Sequence, residues 1–283
     1  MISKFIIKYS EKWIRVLEKL NLFLFKQSKN LNKDKILNKN RVLSKSFQSK
    51  KCYILGNSPS LNNHNLLLLE HENVFCLNTF FAHNNFDEIK PNFYVFADPD
   101  LHNLDDSIIE WWEKLIEKSA KKNISFFLPI QLKNTFVHNK LIEEKIYFID
   151  LSMPFNNNSI KYFDLSKPIN GVQNVLILAI QIAVYMGFEK IYLLGADHDW
   201  MSHFGNEQRH FYTTNETKVE NIGSTGYPYN WWLNAVNTMF LQYKLIKIRL
   251  DKKSNVKIFN ASESGVLDIF PLIKFKDTLK NGK

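Results

Sequence analysis

The segment Lys51-Cys52-Tyr53-Ile54-Leu55-Gly56-Asn57-Ser58-Pro59-Ser60-Leu61 decides how the rest of the chain is read. Its apolar start, with β-prone Tyr53 and Ile54, predicts a short buried strand that Gly-Asn-Ser-Pro-Ser stops abruptly. Gly56 lacks a Cβ where the backbone must turn sharply. Ser58 is placed to cap a following helical turn, and Pro59 suits its first position, where the missing N–H does no harm. Free N–H groups at such a helix start form an anion site, usually for phosphate. The pattern is that of the first strand-to-helix turn of a nucleotide-binding α/β domain, although it is neither G-x-G-x-x-G nor a Walker P-loop. An ordinary turn in any α/β domain would read the same way.

The downstream order gives that turn its context. Val74–Leu77 predicts a second strand ending at Asn78, and Phe93–Ala97 a third ending at Asp98-Pro99-Asp100. Residues 105–121 carry apolar side chains at helical spacing, and Ser125–Leu128 and Lys145–Ile149 are short strand candidates. Val172–Met186 predicts an almost wholly apolar helix closed by Gly187, so it is expected between layers. Lys190–Leu194 predicts a strand ending at Gly195-Ala196-Asp197-His198-Asp199. A long helix over about 230–251 then leads through Val256–Phe259 into Ser262-Glu263-Ser264-Gly265. Strands that alternate with helices imply an α/β fold with a doubly wound, mostly parallel sheet. Ligands of such sheets bind beyond the carboxyl ends of the strands, where Asn57, Asn78, Asp98 and Asp197 all fall.

The chain of 283 residues has a net charge of +9. Residues 1–50 hold 13 Lys/Arg against 3 Asp/Glu, leaving 24 basic and 25 acidic side chains in the rest. The body is therefore neutral, which excludes a nucleic-acid-binding body. Residues 1–25 place Ile2, Phe5, Ile6, Tyr9, Trp13 and Leu17 at helical spacing opposite Lys4, Lys8, Lys12 and Arg15. Such a basic amphipathic arm suits an anionic membrane surface, and the same stripe would pack on the body or on a second copy in a homo-oligomer. Residues 26–50, rich in Lys, Asn and Ser, read as a linker. No apolar run reaches the ~20 residues of a span and no signal peptide is visible, so a cytoplasmic, peripheral location is expected. Cys52 and Cys76 read as small core residues.

The segments Gly56-Asn57-Ser58-Pro59-Ser60-Leu61, Asn78-Thr79-Phe80-Phe81, Asp98-Pro99, Asn170-Gly171-Val172 and Gly187 through Gly195-Ala196-Asp197 resemble those of bacterial sialyltransferases of glycosyltransferase family 42. They are also similar to a wider group sharing G-N-x-P-S and L-G-x-D segments. That group includes pterin pyrophosphokinases, flagellar accessory glycosylation proteins and surface-polysaccharide biosynthesis proteins. The resemblance covers about 50–270. It implies a Rossmann-like, GT-A-variant catalytic domain over 51–275, with a lid-like segment around 199–229. It implies an inverting glycosyltransferase acting on a glycan or glycolipid acceptor, with a nucleotide-sugar donor such as a CMP-linked sialic-acid-like sugar. The family arginine before the S-G-V segment is matched only by Lys167, and the tyrosines after G-I-D have only Tyr212 as a distant counterpart.

Such a transfer needs a phosphate-binding site, a base for the acceptor hydroxyl, and exclusion of water. Histidine suits the base role, and His198, His203 and His210 follow the Asp197 strand end. His210 is the first choice, with His203 the alternative. Gly56, Asn57 and Ser58 are expected at donor phosphate or ribose, and Asn78 and Asp98 at ribose or sugar hydroxyls. Asn170 and Gly171 are read as the start of the buried helix and a second anion site. Gly195, Asp197 and Tyr212 complete the donor site, with Ser262 and Ser264 over the base. No cofactor is required by this reading, although Asp98/Asp100 and Asp197/Asp199 have D-x-D spacing suited to Mg²⁺ or Mn²⁺. Trp111, Trp112, Trp231 and Trp232 fit core packing better than a sugar platform. Two other functions fit the same residues: a Mg²⁺-dependent pyrophosphokinase-like phosphotransferase, and a non-enzymatic nucleotide-binding scaffold.

Overall fold

The computed structural model describes residues 31–97, 106–119, 123–133, 145–155, 163–203 and 228–279. The basic arm and the segments around 98–105 and 204–227 lie outside the described residues, so Asp98, Asp100, His210 and Tyr212 do too.

Seven strands form one parallel sheet: β1 (Lys51–Leu55), β2 (Val74–Leu77), β3 (Phe93–Val95), β4 (Ser125–Pro129), β5 (Ile146–Ile149), β6 (Lys190–Leu194) and β7 (Lys257–Asn260). Their order is β5-β4-β3-β2-β1-β6-β7, so the doubly wound expectation holds. Every pairing is parallel, with Leu55 opposite Cys76 on one side and Leu194 on the other. The chain winds outward from β1 through β5, then returns to place β6 on the other flank of β1. The β1/β6 boundary is therefore the switch point, where open α/β sheets leave a crevice at the carboxyl ends.

Among the described residues the α-helices are α1 (Leu31–Asn38), α2 (Phe86–Ile89), α3 (Asp106–Ser119), α4 (Val175–Met186), α5 (Tyr229–Lys253) and α6 (Phe275–Thr278). Side-chain alternation along the strands divides the core into two layers. Cys52 and Ile54 of β1 pack with α4 and with Met239, Tyr243, Ile246 and Leu250 of α5. Tyr53 and Leu55 face the other way, onto Leu61, Phe80, Phe86, Leu115 and Phe275. α4 is apolar on nearly every side because it is buried nearly all round, as its composition predicts. Its start differs from expectation. Asn174, not Asn170, is the cap, its carboxamide oxygen accepting from the Leu176 amide at 2.7 Å. Gly187 closes it at φ +93.

The described part of the expected linker, from residue 31, is integral to the domain. Leu37, Asn40 and Leu43 are buried, and the Asn40 amide group donates at 2.7 Å to both Phe148 O and Leu165 O. A polar composition concealed this docking because only a few apolar positions carry it. Both cysteines are buried, and burial pushes the Cys52 thiol well up, so it stays protonated and unreactive. Trp231 runs against the core expectation, being 40% exposed near the start of α5. The side chains of Trp111 and Trp112 lie outside the described residues. Among the described residues, no helix is long and apolar enough to cross a membrane.

Candidate functional site

Gly56 and Gly195 follow the last paired residues of β1 and β6. A Cβ on Gly56 would stand 2.2 Å from Gly195 O, so only glycine lets the two strand ends cross this closely. Gly195 is itself at φ +62. The Gly56 amide donates to Leu194 O at 2.8 Å and the Ser58 amide to Gly195 O at 3.2 Å.

The turn after this crossing differs from the expected phosphate cradle. Residues Pro59–Asn63 form a five-residue 3₁₀ helix, and Ser58 makes no side-chain cap. The Ser58 hydroxyl instead accepts from the Asp197 amide at 3.3 Å. Ser60 donates both its hydroxyl and, at 3.2 Å, its amide to the Asp197 carboxylate. The Leu61 amide is held by Ser58 O at 3.1 Å. The amides of Ser58, Ser60 and Leu61 thus have internal partners, and Asp197 takes the place at the turn that an anion was expected to fill.

Asp197 is buried, and that burial raises its carboxyl above the usual range, opposed by the Ser60 bonds, reinforced by Asp199, and opposed again by a Ser264 hydroxyl bond. The loop after β7 closes over it. Gly265, at φ +106, packs so closely that a Cβ would come within 2.3 Å of Asp197 Cα, and the Val266 amide donates to Asp197 O at 2.7 Å. Ser262 accepts from the Ala196 amide at 3.0 Å and its own amide donates to Asn260 Oδ1 at 3.0 Å. The structure therefore brings Gly56, Ser58, Gly195, Asp197, Ser262 and Ser264 together.

Asn57 and Asn78 sit beside this cluster, at the ends of β1 and β2. The Asn57 amide group donates to Leu77 O at 3.1 Å and Thr79 Oγ1 at 3.4 Å, bridging the two strand ends. Asn78 adopts the left-handed region at φ +43, and the Tyr94 hydroxyl braces its carbonyl at 2.6 Å. Both residues leave the side-chain Oδ1 buried and without a partner. Unmet buried acceptors are costly, and here two lie at adjacent strand ends on the rim of the switch point. They can accept from ligand hydroxyl or amine groups.

Asn170 and Gly171 do not join this group as a helix start. Asn170 bridges to Met153 in strand-like pairing, and its side chain donates to Pro154 O at 2.7 Å. Gly171 donates to Met153 O at 2.9 Å and accepts from Gln242 at 3.0 Å. The residues expected to form a second anion site instead tie the segment after β5 to α5.

His198 lies within the core. At φ +55 its ring turns inward, stacks on Tyr243 and bonds that hydroxyl through Nε2 at 2.8 Å. Burial lowers its pKa to about 3, so the ring is neutral and packs as a core residue. His203 ends the turn Trp200–His203, and its side chain lies outside the described residues. Two residues near the crossing had no role in the sequence reading. Ser60 carries most of the Asp197 bonding, and its signal was the repeated hydroxyl in Ser58-Pro59-Ser60. His64 is buried with Nδ1 3.9 Å from Glu263 Oε1 and its ring edge-on to Phe275. Nothing in its local sequence marked it.

Asp197 accepts hydrogen bonds from Ser60 at both carboxylate oxygens, so Asp197/Asp199 is not an open D-x-D pair. Among the described residues, no group of three or more His, Cys, Asp or Glu could hold a metal ion.

The model of the 6-hydroxymethylpterin diphosphokinase MptE-like family matches residues 25–202, more than half of the chain. This chain belongs to that family. Membership accords with the sequence resemblance to pterin pyrophosphokinases, and the match includes the docked stretch 31–49. No curated protein matches the chain. One solved structure that it resembles is the sialyltransferase CstII from Campylobacter jejuni, in complex with a substrate analogue, cytidine-5'-monophosphate. That match has 16% identity over 80% of this chain and 85% of the other, with a TM-score of 0.47. A family named for a diphosphokinase, on a parallel sheet with a glycine crossing at its switch point, supports a nucleotide-binding, transferase-like member of the MptE-like family.

Proposed function

We propose that this MptE-like chain is a transferase that seats a nucleotide-activated sugar over the carboxyl ends of β1, β2 and β6 and passes the sugar to a glycan hydroxyl. The observation that carries the reading is the pair of buried, unpartnered Oδ1 atoms of Asn57 and Asn78 beside the Gly56/Gly195 crossing. Two fixed acceptors at adjacent strand ends suit the vicinal hydroxyls of a ribose or the hydroxyls of a sugar. Asp197 acts by holding Ser58, Ser60 and the loop at Gly265 in one arrangement, which fixes the cleft wall. The reaction breaks the bond between the sugar and its phosphate leaving group and forms a glycosidic bond, with the acceptor proton passing to a base. His210 is that base in this reading, with His203 as the alternative.

The resemblance of the sequence segments to sialyltransferases supports a CMP-linked sialic-acid-like sugar as donor and a bacterial surface glycan as acceptor in this reading. The basic stripe over 1–25 would hold the enzyme on the inner membrane face, where a glycolipid acceptor is presented. Family membership favours a second reading, diphosphoryl transfer from ATP, whose metal would have to come from Asp98/Asp100.

Hydrolysis of a CMP-sugar without acceptor, followed in EDTA, separates the two. The transferase reading expects turnover that survives EDTA and falls at least about a hundredfold in His210→Ala or His203→Ala. Turnover of ATP alone, abolished by EDTA, would instead establish the diphosphokinase reading. Absence of both activities would leave neither standing.

A further inference from the structure

α5 carries an apolar tip at the same end of the sheet as the cleft. The helix leads into the amino end of β7, so its start at Tyr229 lies at the carboxyl end. Among the described residues, its packing on the core begins at Val236. The stretch before that, 229–235, makes about 10 Å of helix that runs on past the core. Tyr229, Trp231 and Leu233 of this tip are 48%, 40% and 46% exposed. Trp231 meets Trp232 edge-on, with ring centroids 4.8 Å apart.

Single exposed apolar side chains are ordinary, but these are arranged. At about 100° per residue, Tyr229 and Leu233 share one side of the helix and Trp231 lies nearly opposite. A groove on a protein partner covers one side of a helix, whereas a lipid interface receives a tip that is apolar on both. From Tyr229 to Tyr243 the sequence has no charged side chain, so entry into an interface leaves no charge to desolvate. Tryptophan and tyrosine are the residues that collect at that depth.

The second observation is where the basic arm joins the body. Lys33 of α1 pairs with Asp150 at 3.1 Å, directly after β5, and Lys39 reaches Ile146 O at 2.9 Å, at the start of that strand. α1 therefore runs antiparallel to β5, and the chain enters it at the carboxyl end of the sheet. The segment after β5 connects this point to α5: Asp150 O accepts from the Ile169 amide at 2.8 Å, and Gly171 O from Gln242 at 3.0 Å. Residues 1–25, with their basic amphipathic pattern, thus precede a helix rooted at the end from which the α5 tip projects.

We propose that the α5 tip is a second membrane contact, which enters the interface of an anionic phospholipid surface beside the arm and turns the cleft toward the lipid. Apolar insertion and electrostatic attraction add, and two contacts on one body hold it more tightly than either alone. The proposal rests on the membrane location within the transferase reading, and it deepens that reading, since an acceptor carried on a lipid stays within reach of the cleft.

The test uses the full chain with vesicles of phosphatidylglycerol or phosphatidylcholine. Leu233→Cys and, at the far end of α5, Lys252→Cys are labelled with an environment-sensitive fluorophore, Cys52 and Cys76 being buried. On phosphatidylglycerol the label at 233 should shift to the blue and be quenched by brominated lipid, and the label at 252 should do neither. Tyr229→Ser/Trp231→Ser/Leu233→Ser should weaken sedimentation with phosphatidylglycerol at least tenfold. Hydrolysis of a CMP-sugar in solution should be the same in this variant and the parent. Failed docking with hydrolysis intact therefore removes the tip and leaves the transferase, and docking without hydrolysis does the reverse. Wild-type protein that does not sediment, a silent label at 233 on bound protein, or a triple variant that binds as the parent does would overturn the proposal. A label at 233 that shifts with protein concentration alone would put a second copy on the tip and overturn it as well.

Discussion

Gly56→Ala is expected to destabilise the protein by about 3 kcal/mol or more, among the largest effects of any single methyl group in the chain. The added Cβ would stand 2.2 Å from Gly195 O and 3.0 Å from Gly195 C. Both are backbone atoms of a neighbouring strand end, so no side-chain rotation relieves the contact. Gly195 O also accepts from the Ser58 amide, so strand separation here breaks the bond that sets the turn. Fold and site would fail together, because β1 and β6 are both interior strands of the sheet and their ends frame the cleft. Gly171→Ala serves as the comparison: its Cβ would meet Leu151 O at 3.3 Å, a contact that a small shift relieves. Urea denaturation should show a cost of about 1 kcal/mol or less there. A Gly56→Ala protein as stable as the Gly171→Ala protein would mean that the crossing is looser than described.

Acid is expected to unfold the protein in a way that His198 controls. Its pKa is about 3 in the folded chain, against an ordinary value near 6.5, and the cause is burial. The unfolded state therefore binds the extra proton between those values. The stability is fully present above about pH 6.5 and is lost as pH falls, by about 1 kcal/mol per unit and several kcal/mol by pH 4. His64 and His83, both lowered by burial, add in the same direction. Asp197 acts with the opposite sign, since its raised carboxyl takes up a proton more readily in the fold than in the unfolded chain. His198→Asn isolates the effect, because asparagine tolerates the left-handed backbone at this position. The variant should be less stable at pH 7.5 yet lose less on acidification, its slope smaller by one proton. Equal slopes for variant and parent would show that His198 is protonated within the fold.

The strands were legible because buried parallel strands are short apolar runs closed by Gly, Asn or Asp. Val74–Leu77 and Lys190–Leu194 have the bounds that their sequences predict, and α4 is recognisable from apolarity alone. The fate of the turn after β1 was not legible. Whether the Ser60 amide stays open for phosphate depends on Asp197, 137 residues away, and no local pattern encodes that pairing. His198 shows the same limit. Its neighbours Asp197 and Asp199 suggested a polar loop, whereas Tyr243 on α5 draws the ring inward. The docking of 31–49 was hidden by composition, because Leu37, Asn40 and Leu43 are its buried residues and the rest of the stretch is largely polar. Local signals thus fixed the strand ends, and the long-range contacts decided which polar groups there remain open. Among the described residues, Asn57 and Asn78 each keep an Oδ1 without a partner there.

The central claim is that those two residues receive a nucleotide, and thermal stabilisation tests it most directly. The full chain would be melted with CMP, CDP, UDP, GDP and ATP, each with and without Mg²⁺, alongside Asn57→Ala. At a ligand concentration near 100 times Kd, binding adds about 2.7 kcal/mol and raises Tm by several degrees. The account predicts a metal-independent shift with CMP that Asn57→Ala reduces to near zero while keeping its own Tm close to the parent's. No shift with any nucleotide, or a shift that Asn57→Ala leaves unchanged, would contradict it.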